Sequence, residues 1–207
     1  MPPQYAHWGE AISESFCYSV GFRAPSSADM LEGFSDALIA RIDPSSRFTD
    51  SPSTTRENSH EISVQDLNAA FSLLQNELSD QSSFCKWFGA YMTQPKYPDL
   101  FSIADPLPTA EEVLAAIQSN KAEIALNPGS RLAFTRLEEE DALWLFVDGR
   151  VYGLPRVLGN AISKLCELTH LNNELFIEFS NHDELLNVLL DMLREGSLLL
   201  LEPAEPD

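Results

Sequence analysis

A two-residue turn signal in the second half of the chain constrains the fold most. Asp148 and Gly149 follow an apolar segment, residues 143–147, and lead into Arg150, Val151 and Tyr152. An Asp-Gly pair adopts the positive φ angles of a tight hairpin readily, so these two segments are predicted to be neighbouring antiparallel strands. Residues 131–137 are rich in apolar and β-forming side chains as well and are predicted to be a further strand. This part of the chain is therefore expected to contain a small antiparallel sheet.

Helical patterns flank this predicted sheet on both sides. Thr109 and Glu112 have the spacing of a capping box, which predicts a helix that ends near Asn120. After the hairpin, the pattern predicts a helix with Pro155 at its first position, a last helix from about Asn181 to Gly196, and a closing strand over residues 197–202. A small winged-helix-like α+β module is predicted, because a helix, a hairpin, further helices and a closing strand follow one another within roughly a hundred residues.

Three amphipathic helices are predicted before residue 97. The first follows Ser26, which has the spacing of an N-cap with Asp29, and the second follows Ser63. The second helix has an apolar stripe made of Val64, Leu67, Ala70, Phe71, Leu74 and Leu78, and the third carries Phe84, Trp87, Phe88 and Tyr91 before Pro95. Such faces need partners, and a second copy of the chain is one way to provide them. The aromatic group on the third helix is expected to serve core or dimer packing rather than base stacking.

The remaining segments are a strand-like start and two polar or proline-containing connections. Residues 15–22 alternate aromatic and β-branched side chains on one face, and Pro25 follows, so a strand is predicted there. No obvious pairing partner for this strand is present in the sequence. Residues 43–59 are predicted to be an exposed loop, and residues 97–108, with three prolines, a linker.

The net charge narrows the range of partners. The chain has 32 acidic and 13 basic side chains, a formal charge of −19, which would repel a phosphate backbone. A basic or neutral polypeptide is the expected large partner, and nucleic acid is not expected.

No apolar run approaches the ~20 residues that cross a bilayer, so no membrane association is expected. Three widely spaced cysteines, Cys17, Cys85 and Cys166, do not form a disulfide framework and fit a cytoplasmic location, with inert thiols as the default.

The residues alone indicate no complete active site. His7 is a single histidine near the terminus, and its spacing from other residues does not indicate a metal site. His182, Asp183 and Glu184 match half of a two-histidine, one-carboxylate iron site, but they fall where a helix begins, and Asn181 and Glu184 have capping-box spacing. The acidic run at residues 138–141 lacks the spaced ligands of a calcium loop, so a solvated turn is expected. Phosphate-binding, dinucleotide-binding and G-x-S-x-G patterns are absent from the sequence.

Several segments together resemble a known family. Residues 1–7, M-P-P-Q-Y-A-H, and residues 18–25, Y-S-V-G-F-R-A-P, resemble the end of the JmjC-type cupin in bacterial ribosomal oxygenases. These are iron(II)- and 2-oxoglutarate-dependent dioxygenases that hydroxylate an arginine of a large-subunit ribosomal protein. The likeness continues through residues 33–36, residues 87–89 and the hairpin with the final helices, and it covers nearly the whole chain.

The resemblance implies an α+β protein with three parts and a linker. These are a remnant of a cupin (double-stranded β-helix) strand pair at residues 1–25, a helical dimerisation region at 26–96, a linker at 97–108 and a winged-helix-like domain at 109–207. It also implies that His7 derives from the third iron ligand. The family's H-x-D ligand pair and its 2-oxoglutarate-holding basic residue lie upstream of this element. The chain is therefore expected to be a fragment that binds neither iron(II) nor 2-oxoglutarate stably, because iron(II) needs all three facial ligands.

Two functional hypotheses remain. In the first, the chain is the C-terminal portion of a ribosomal-oxygenase-like hydroxylase, a homodimer whose substrate is a ribosomal protein, and is inactive alone. In the second, it is a non-catalytic dimerisation or protein-interaction module with an acidic winged-helix domain.

Overall fold

The structure is a computed structural model that describes residues 10, 12–14, 16, 24–49, 60–98, 109–119, 121–137, 141–167 and 173–201. The helices are α1 (Ser27–Ile39), α2 (Val64–Leu78), α3 (Gln81–Thr93), α4 (Ala110–Gln118), α5 (Gly159–Glu167), α6 (Asn173–Ser180) and α7 (Asp183–Arg194). The strands are β1 (Glu123–Leu126), β2 (Leu132–Arg136), β3 (Ala142–Val147), β4 (Arg150–Pro155) and β5 (Leu198–Leu201), and a short 3-10 helix (Arg156–Leu158) follows β4. None of the described helices has the length and apolar character needed to cross a membrane.

The predicted hairpin is confirmed and forms the centre of a three-stranded antiparallel sheet. Asp148 and Gly149 have φ angles of 49° and 85°, so both turn residues adopt positive φ angles. Val147 lies opposite Arg150 across this turn and opposite Leu132 on the other side, which gives the strand order β2-β3-β4. The turn is held further because the Asp148 side chain accepts a hydrogen bond from the backbone N–H of Arg131, at 2.7 Å.

A second, two-stranded sheet joins the start of this region to its end. The closing strand β5 pairs antiparallel with β1, and Ile124 lies opposite Leu200. The sequence did not predict β1 or α6, although both are needed in this region. Asn173 at the start of α6 accepts a hydrogen bond from the Ile124 N–H at 3.1 Å and donates one to the Ala122 carbonyl at 2.9 Å. One side-chain amide therefore satisfies two backbone groups at the edge of β1.

The main core lies on one face of the three-stranded sheet, between β3 and the helices α4 to α7. Alternate residues of β3 point into it, as the period of a strand requires. Its fully buried side chains include Leu143, Leu145, Ile117, Ile162, Leu165, Phe176, Phe179, Leu185, Leu189, Met192 and Leu198. The winged-helix-like α+β fold that the sequence predicts requires such a core.

Helix α3 covers the opposite face of the same sheet. A Cβ atom at Gly89 would overlap the ring of Phe146, so only glycine lets the helix approach this closely. Two hydrogen bonds fix the end of the helix: the Gly149 N–H donates to Thr93 Oγ1 at 3.1 Å, and Arg131 Nη1 donates to the Gln94 carbonyl at 3.3 Å. The sheet is therefore buried on both faces.

Helix α1 packs on α3 through aromatic side chains. Phe34 is buried and meets Phe84 edge to face, with ring centroids 5.1 Å apart, while Trp87 stacks on Tyr91 at 5.1 Å. A Cβ at Gly33 would lie 3.0 Å from Trp87 Cζ2, so the two helices are in close contact. The aromatic group on α3 is half-buried and packs within the chain against α1, which agrees with the packing role predicted for it and leaves a dimer role untested.

Three predicted helix caps are confirmed, and two predictions at helix ends are wrong. Ser26, Ser63 and Thr109 cap α1, α2 and α4. Asn181 does not cap α7, because its backbone N–H bonds to Glu178 and closes the last turn of α6; His182 is the N-cap residue and makes no side-chain cap bond. Pro155 is not the first residue of a helix but the last of β4, where its missing N–H suits an edge strand.

Several sequence-based expectations fall on residues that the structure does not describe. The strand predicted at residues 15–22 lies outside the described residues except at Phe16, and so does His7. The same holds for residues 50–59 of the predicted loop, for residues 99–108 of the predicted linker and for residues 138–140 of the acidic run.

The contact between Gly89 and Phe146 predicts the sign of a mutation. Replacing a glycine inside a helix by alanine ordinarily stabilises the helix by about 0.5–1 kcal/mol. Gly89→Ala is expected instead to lower the free energy of unfolding by about 2 kcal/mol, because the added methyl group overpacks a buried ring. Urea unfolding followed by circular dichroism measures this difference.

A second substitution controls for the cause. Phe146→Leu removes the ring beneath Gly89, so Gly89→Ala should cost clearly less free energy in that background than in the wild-type chain. If Gly89→Ala stabilises the wild-type chain, α3 does not lie against Phe146.

Candidate functional site

The most prominent exposed feature of the described chain is one face of α2. We call Val64, Leu67, Phe71, Leu74 and Leu78 the α2 seam. These residues follow one another at intervals of three and four, the spacing of the apolar positions in a coiled coil. Val64 is 71% exposed, and Phe71 and Leu74 are each 62% exposed. The helix that the sequence predicts to need a partner therefore leaves its apolar face uncovered by the described part of the chain.

A very short connection ties the α2 seam to the sheet. Only Ser79 and Asp80 separate the end of α2 from the start of α3. Asp80 is the N-cap of α3 and accepts a hydrogen bond from the Ser83 N–H at 3.0 Å. The hydrogen bonds from Ser83 lower the pKa of the Asp80 carboxyl, so the charged form that caps the helix is favoured. Because α3 packs on the sheet, whatever binds the seam is held close to the winged-helix region.

The residues after the hairpin turn include more acidic than basic side chains, and two of the basic side chains are already in ion pairs. Lys164 pairs with Glu178 at 2.9 Å, and Arg150 pairs with Glu195. The first turn of α7 carries Asp183 and Glu184, which complement the positive end of the helix dipole. Such an acidic surface attracts basic polypeptides and repels phosphate.

The residues that could hold a metal do not come together. His182, Asp183 and Glu184 are exposed at the start of α7. In the part of the chain that the structure describes, no three His, Cys, Asp or Glu side chains are placed to bind one ion. The described residues therefore do not fit an iron centre, and His7 is the one predicted ligand that they leave untested.

The cysteines in the described ranges fit the inert role predicted for them. Burial, and to a smaller extent the neighbouring Glu167, raises the pKa of the Cys166 thiol to about 11. The thiol is therefore neutral near pH 7 and a poor nucleophile. Cys85 is half-buried on α3 and makes no disulfide.

Sequence reasoning missed the polar contacts that join distant elements. The buried Ser197 hydroxyl donates to Asp148 Oδ2 at 2.6 Å, and the Tyr152 hydroxyl donates to Asp191 Oδ2 at 2.8 Å. Burial and the bond to Asp191 raise the pKa of Tyr152, which keeps its hydroxyl protonated as a donor. Partners so far apart in sequence leave no periodic signal, so no sequence pattern could have identified these pairs.

Comparison with known proteins places this arrangement in a family. Residues 73–199 match the sequence profile of the family described as ROXA-like winged helix. The matched range is more than half of the chain and runs from within α2 to β5. The chain belongs to the ROXA-like winged helix family. The winged-helix-like fold predicted from the sequence is thereby confirmed, and the match includes α3.

Individual relatives agree with this assignment. The ribosomal protein uL16 3-hydroxylase of Escherichia coli K12 is 25% identical over 128 residues, which are 61% of this chain and 34% of that protein. The X-ray structure of E. coli ycfD has a TM-score of 0.71 at 19% identity and covers 87% of this chain and 46% of its own. The structure of E. coli YcfD, a ribosomal oxygenase, with cobalt and 2-oxoglutarate has a TM-score of 0.69 at 20% identity, covering 87% and 48%. The chain spans about a third of the curated relative and less than half of the solved chains, and these structures show a shared fold.

Proposed function

We propose that this chain acts as the C-terminal portion of a ribosomal oxygenase, an iron(II)- and 2-oxoglutarate-dependent dioxygenase that hydroxylates a ribosomal protein. The observation that carries the proposal is the match of residues 73–199 to the ROXA-like winged helix family. The likeness to a uL16 3-hydroxylase and to a fold solved with cobalt and 2-oxoglutarate supports the same reaction class. The acidic surface supports a basic polypeptide as substrate.

In this proposal the parts of the chain have distinct roles. Residues 1–25 are the remnant of the JmjC cupin, residues 26–96 the helical dimerisation region, residues 97–108 the linker and residues 109–207 the winged-helix-like domain. His7 supplies one metal ligand. With its metal bound, the complete enzyme would couple oxidative decarboxylation of 2-oxoglutarate to side-chain hydroxylation. We propose that a polypeptide made of residues 1–207 alone is inactive, because His7 is one ligand and iron(II) needs three facial ligands.

A chimera tests the catalytic part of the proposal. The part of the E. coli uL16 3-hydroxylase that precedes its own counterpart of residues 1–7 is fused before residue 1 of this chain. The chimera is expected to form succinate from 2-oxoglutarate and to add one oxygen atom to uL16, measured by mass spectrometry. His7→Ala should abolish both signals because it removes one of the three protein ligands that hold the iron. His182→Ala is the matched control and should leave both unchanged.

Two outcomes would contradict the catalytic proposal. One is a folded chimera that has no activity, or whose activity survives His7→Ala. The other is 2-oxoglutarate turnover by the purified 207-residue chain that His7→Ala abolishes, which would show that this chain is active without an upstream segment.

The α2 seam supports a homodimer as the working form. Five apolar side chains at coiled-coil spacing match a second helix with the same pattern, and a second copy of the chain provides one at equal concentration. Covering the seam would remove exposed apolar surface from water, which is the main driving force of such association. The non-catalytic interaction module remains the second candidate function, because this feature favours dimerisation whether or not the chain serves an enzyme.

Charge placed on the seam is expected to separate the two copies. Leu67→Glu combined with Leu74→Glu puts two carboxylates from each copy into the dimer interface, so light scattering after size exclusion should give the mass of one chain, 23.1 kDa. The matched control, Asn68→Glu with Gln75→Glu, adds the same charge next to the seam and should keep twice that mass. Circular dichroism checks that the helices persist. A wild-type chain that stays at the single mass at tens of micromolar would reject the homodimer.

A further inference from the structure

A pocket separate from the α2 seam and the acidic surface lies where three elements meet. Its volume is about 610 Å³, and it opens between the N-terminal end of α1, the C-terminal end of α3 and the start of β2. Pro25 and Asp29 line it from the α1 side, Tyr91 and Lys96 from the α3 side, and Arg131 from the sheet. The volume falls within the range typical of pockets for small ligands or short peptide segments.

Three side chains that line this pocket carry N–H or O–H groups that bond to no described residue. Arg131 uses one N–H of its guanidinium on the Gln94 carbonyl at 3.3 Å, and the described residues provide no carboxylate for the rest. The Lys96 ammonium lies 5.4 Å from the ring centre of Tyr97 and makes no ion pair with a described residue. The Tyr91 hydroxyl is also without a hydrogen-bond partner in the described ranges. Within the described ranges, two positive charges and a hydroxyl are therefore left for a ligand to bind.

The carboxylate at the pocket is already engaged. Asp29 Oδ2 accepts a hydrogen bond from the Ser26 N–H at 2.9 Å, as part of the capping box that begins α1. The Asp29 charge remains, but Lys96 and Arg131 outnumber it, so the described lining is net positive in a chain that carries 32 acidic and 13 basic side chains. An anionic ligand is the one that such a lining attracts, and arginine in particular favours carboxylates through paired N–H groups.

Part of the remaining wall is apolar and indicates the rest of the ligand. Pro25, Met92 and Pro95 line the pocket, and the Tyr91 ring is held in place by stacking on Trp87 at 5.1 Å. An inorganic anion would leave these walls in contact with water, whereas an apolar group next to a carboxylate would cover them. We propose that this pocket binds a carboxylate attached to an apolar group, supplied by a free carboxylic acid or by a polypeptide.

The proposal does not depend on the oxygenase proposal, because it is argued only from the described residues that line the pocket in and beside α1, α3 and β2. It is tested on the full chain labelled with ¹⁵N, by titration with 3-phenylpropionate as the free acid and with acetyl-Leu-Glu-Phe-amide as the peptide. Saturable amide shifts are expected at Tyr91, Met92 and Lys96. The neutral partners, 3-phenylpropionamide and acetyl-Leu-Gln-Phe-amide, should give none.

Substitutions locate the binding in this pocket. Lys96→Gln and Arg131→Gln should each weaken carboxylate binding by roughly tenfold, because each removes a charged hydrogen-bond donor. Lys121→Gln removes an exposed charge outside the pocket and should leave the dissociation constant unchanged. Urea unfolding checks that each variant is folded, and Lys96→Gln decides the outcome if Arg131→Gln is destabilised.

Each outcome supports the proposal or overturns it. Binding of the free acid with no binding of the peptide identifies a small carboxylic acid as the ligand, and the reverse identifies a polypeptide. The proposal is overturned if neither carboxylate binds saturably, if the amides bind as well as the carboxylates, or if both pocket variants bind like the wild-type chain.

Discussion

The close contact between Gly89 and Phe146 is the constraint on which the rest of the structure depends. It lets α3 lie directly on the sheet, so the sheet is covered on both faces and Phe146 is fully enclosed. Two hydrogen bonds at the end of α3, from Gly149 and Arg131, hold the helix in one position along the strands. The aromatic packing of α1, the attachment of the α2 seam and the pocket beside Arg131 all depend on α3 being in that position.

One segment that resembles the family, residues 87–89, lies at this contact between α3 and its neighbours. Trp87, Phe88 and Gly89 carry part of that likeness, and each has a separate contact: Trp87 with α1, Phe88 with Phe84, and Gly89 with the sheet. The family match begins within α2 and so includes α3 with the winged-helix region. The helical region and the winged-helix region thus share α3, which connects the α2 seam to the acidic surface.

Local features of the fold were predictable, and features that depend on distant partners were not. The caps at Ser26, Ser63 and Thr109 and the turn at Asp148 are set by residues within four positions of one another, so their sequence signals are complete. Strand β1 has four residues and gains its stability from β5 and Asn173, which lie far along the chain. The error at Asn181 has the same origin, because α6 was missed and its last turn uses that residue. The seam could be predicted from its spacing, whereas the pocket could not, since three separate elements form it.

Native-state hydrogen exchange on the full chain tests most directly whether α3 and the sheet form one unit. If they do, the amides of residues 85–93 should open with the same free energy as those of β3 and should respond to denaturant with the same slope. If instead the α3 amides exchange at a clearly lower opening free energy while β3 stays protected, the contact at Gly89 does not join the helical region to the sheet, and the dependence of the fold on that contact is refuted.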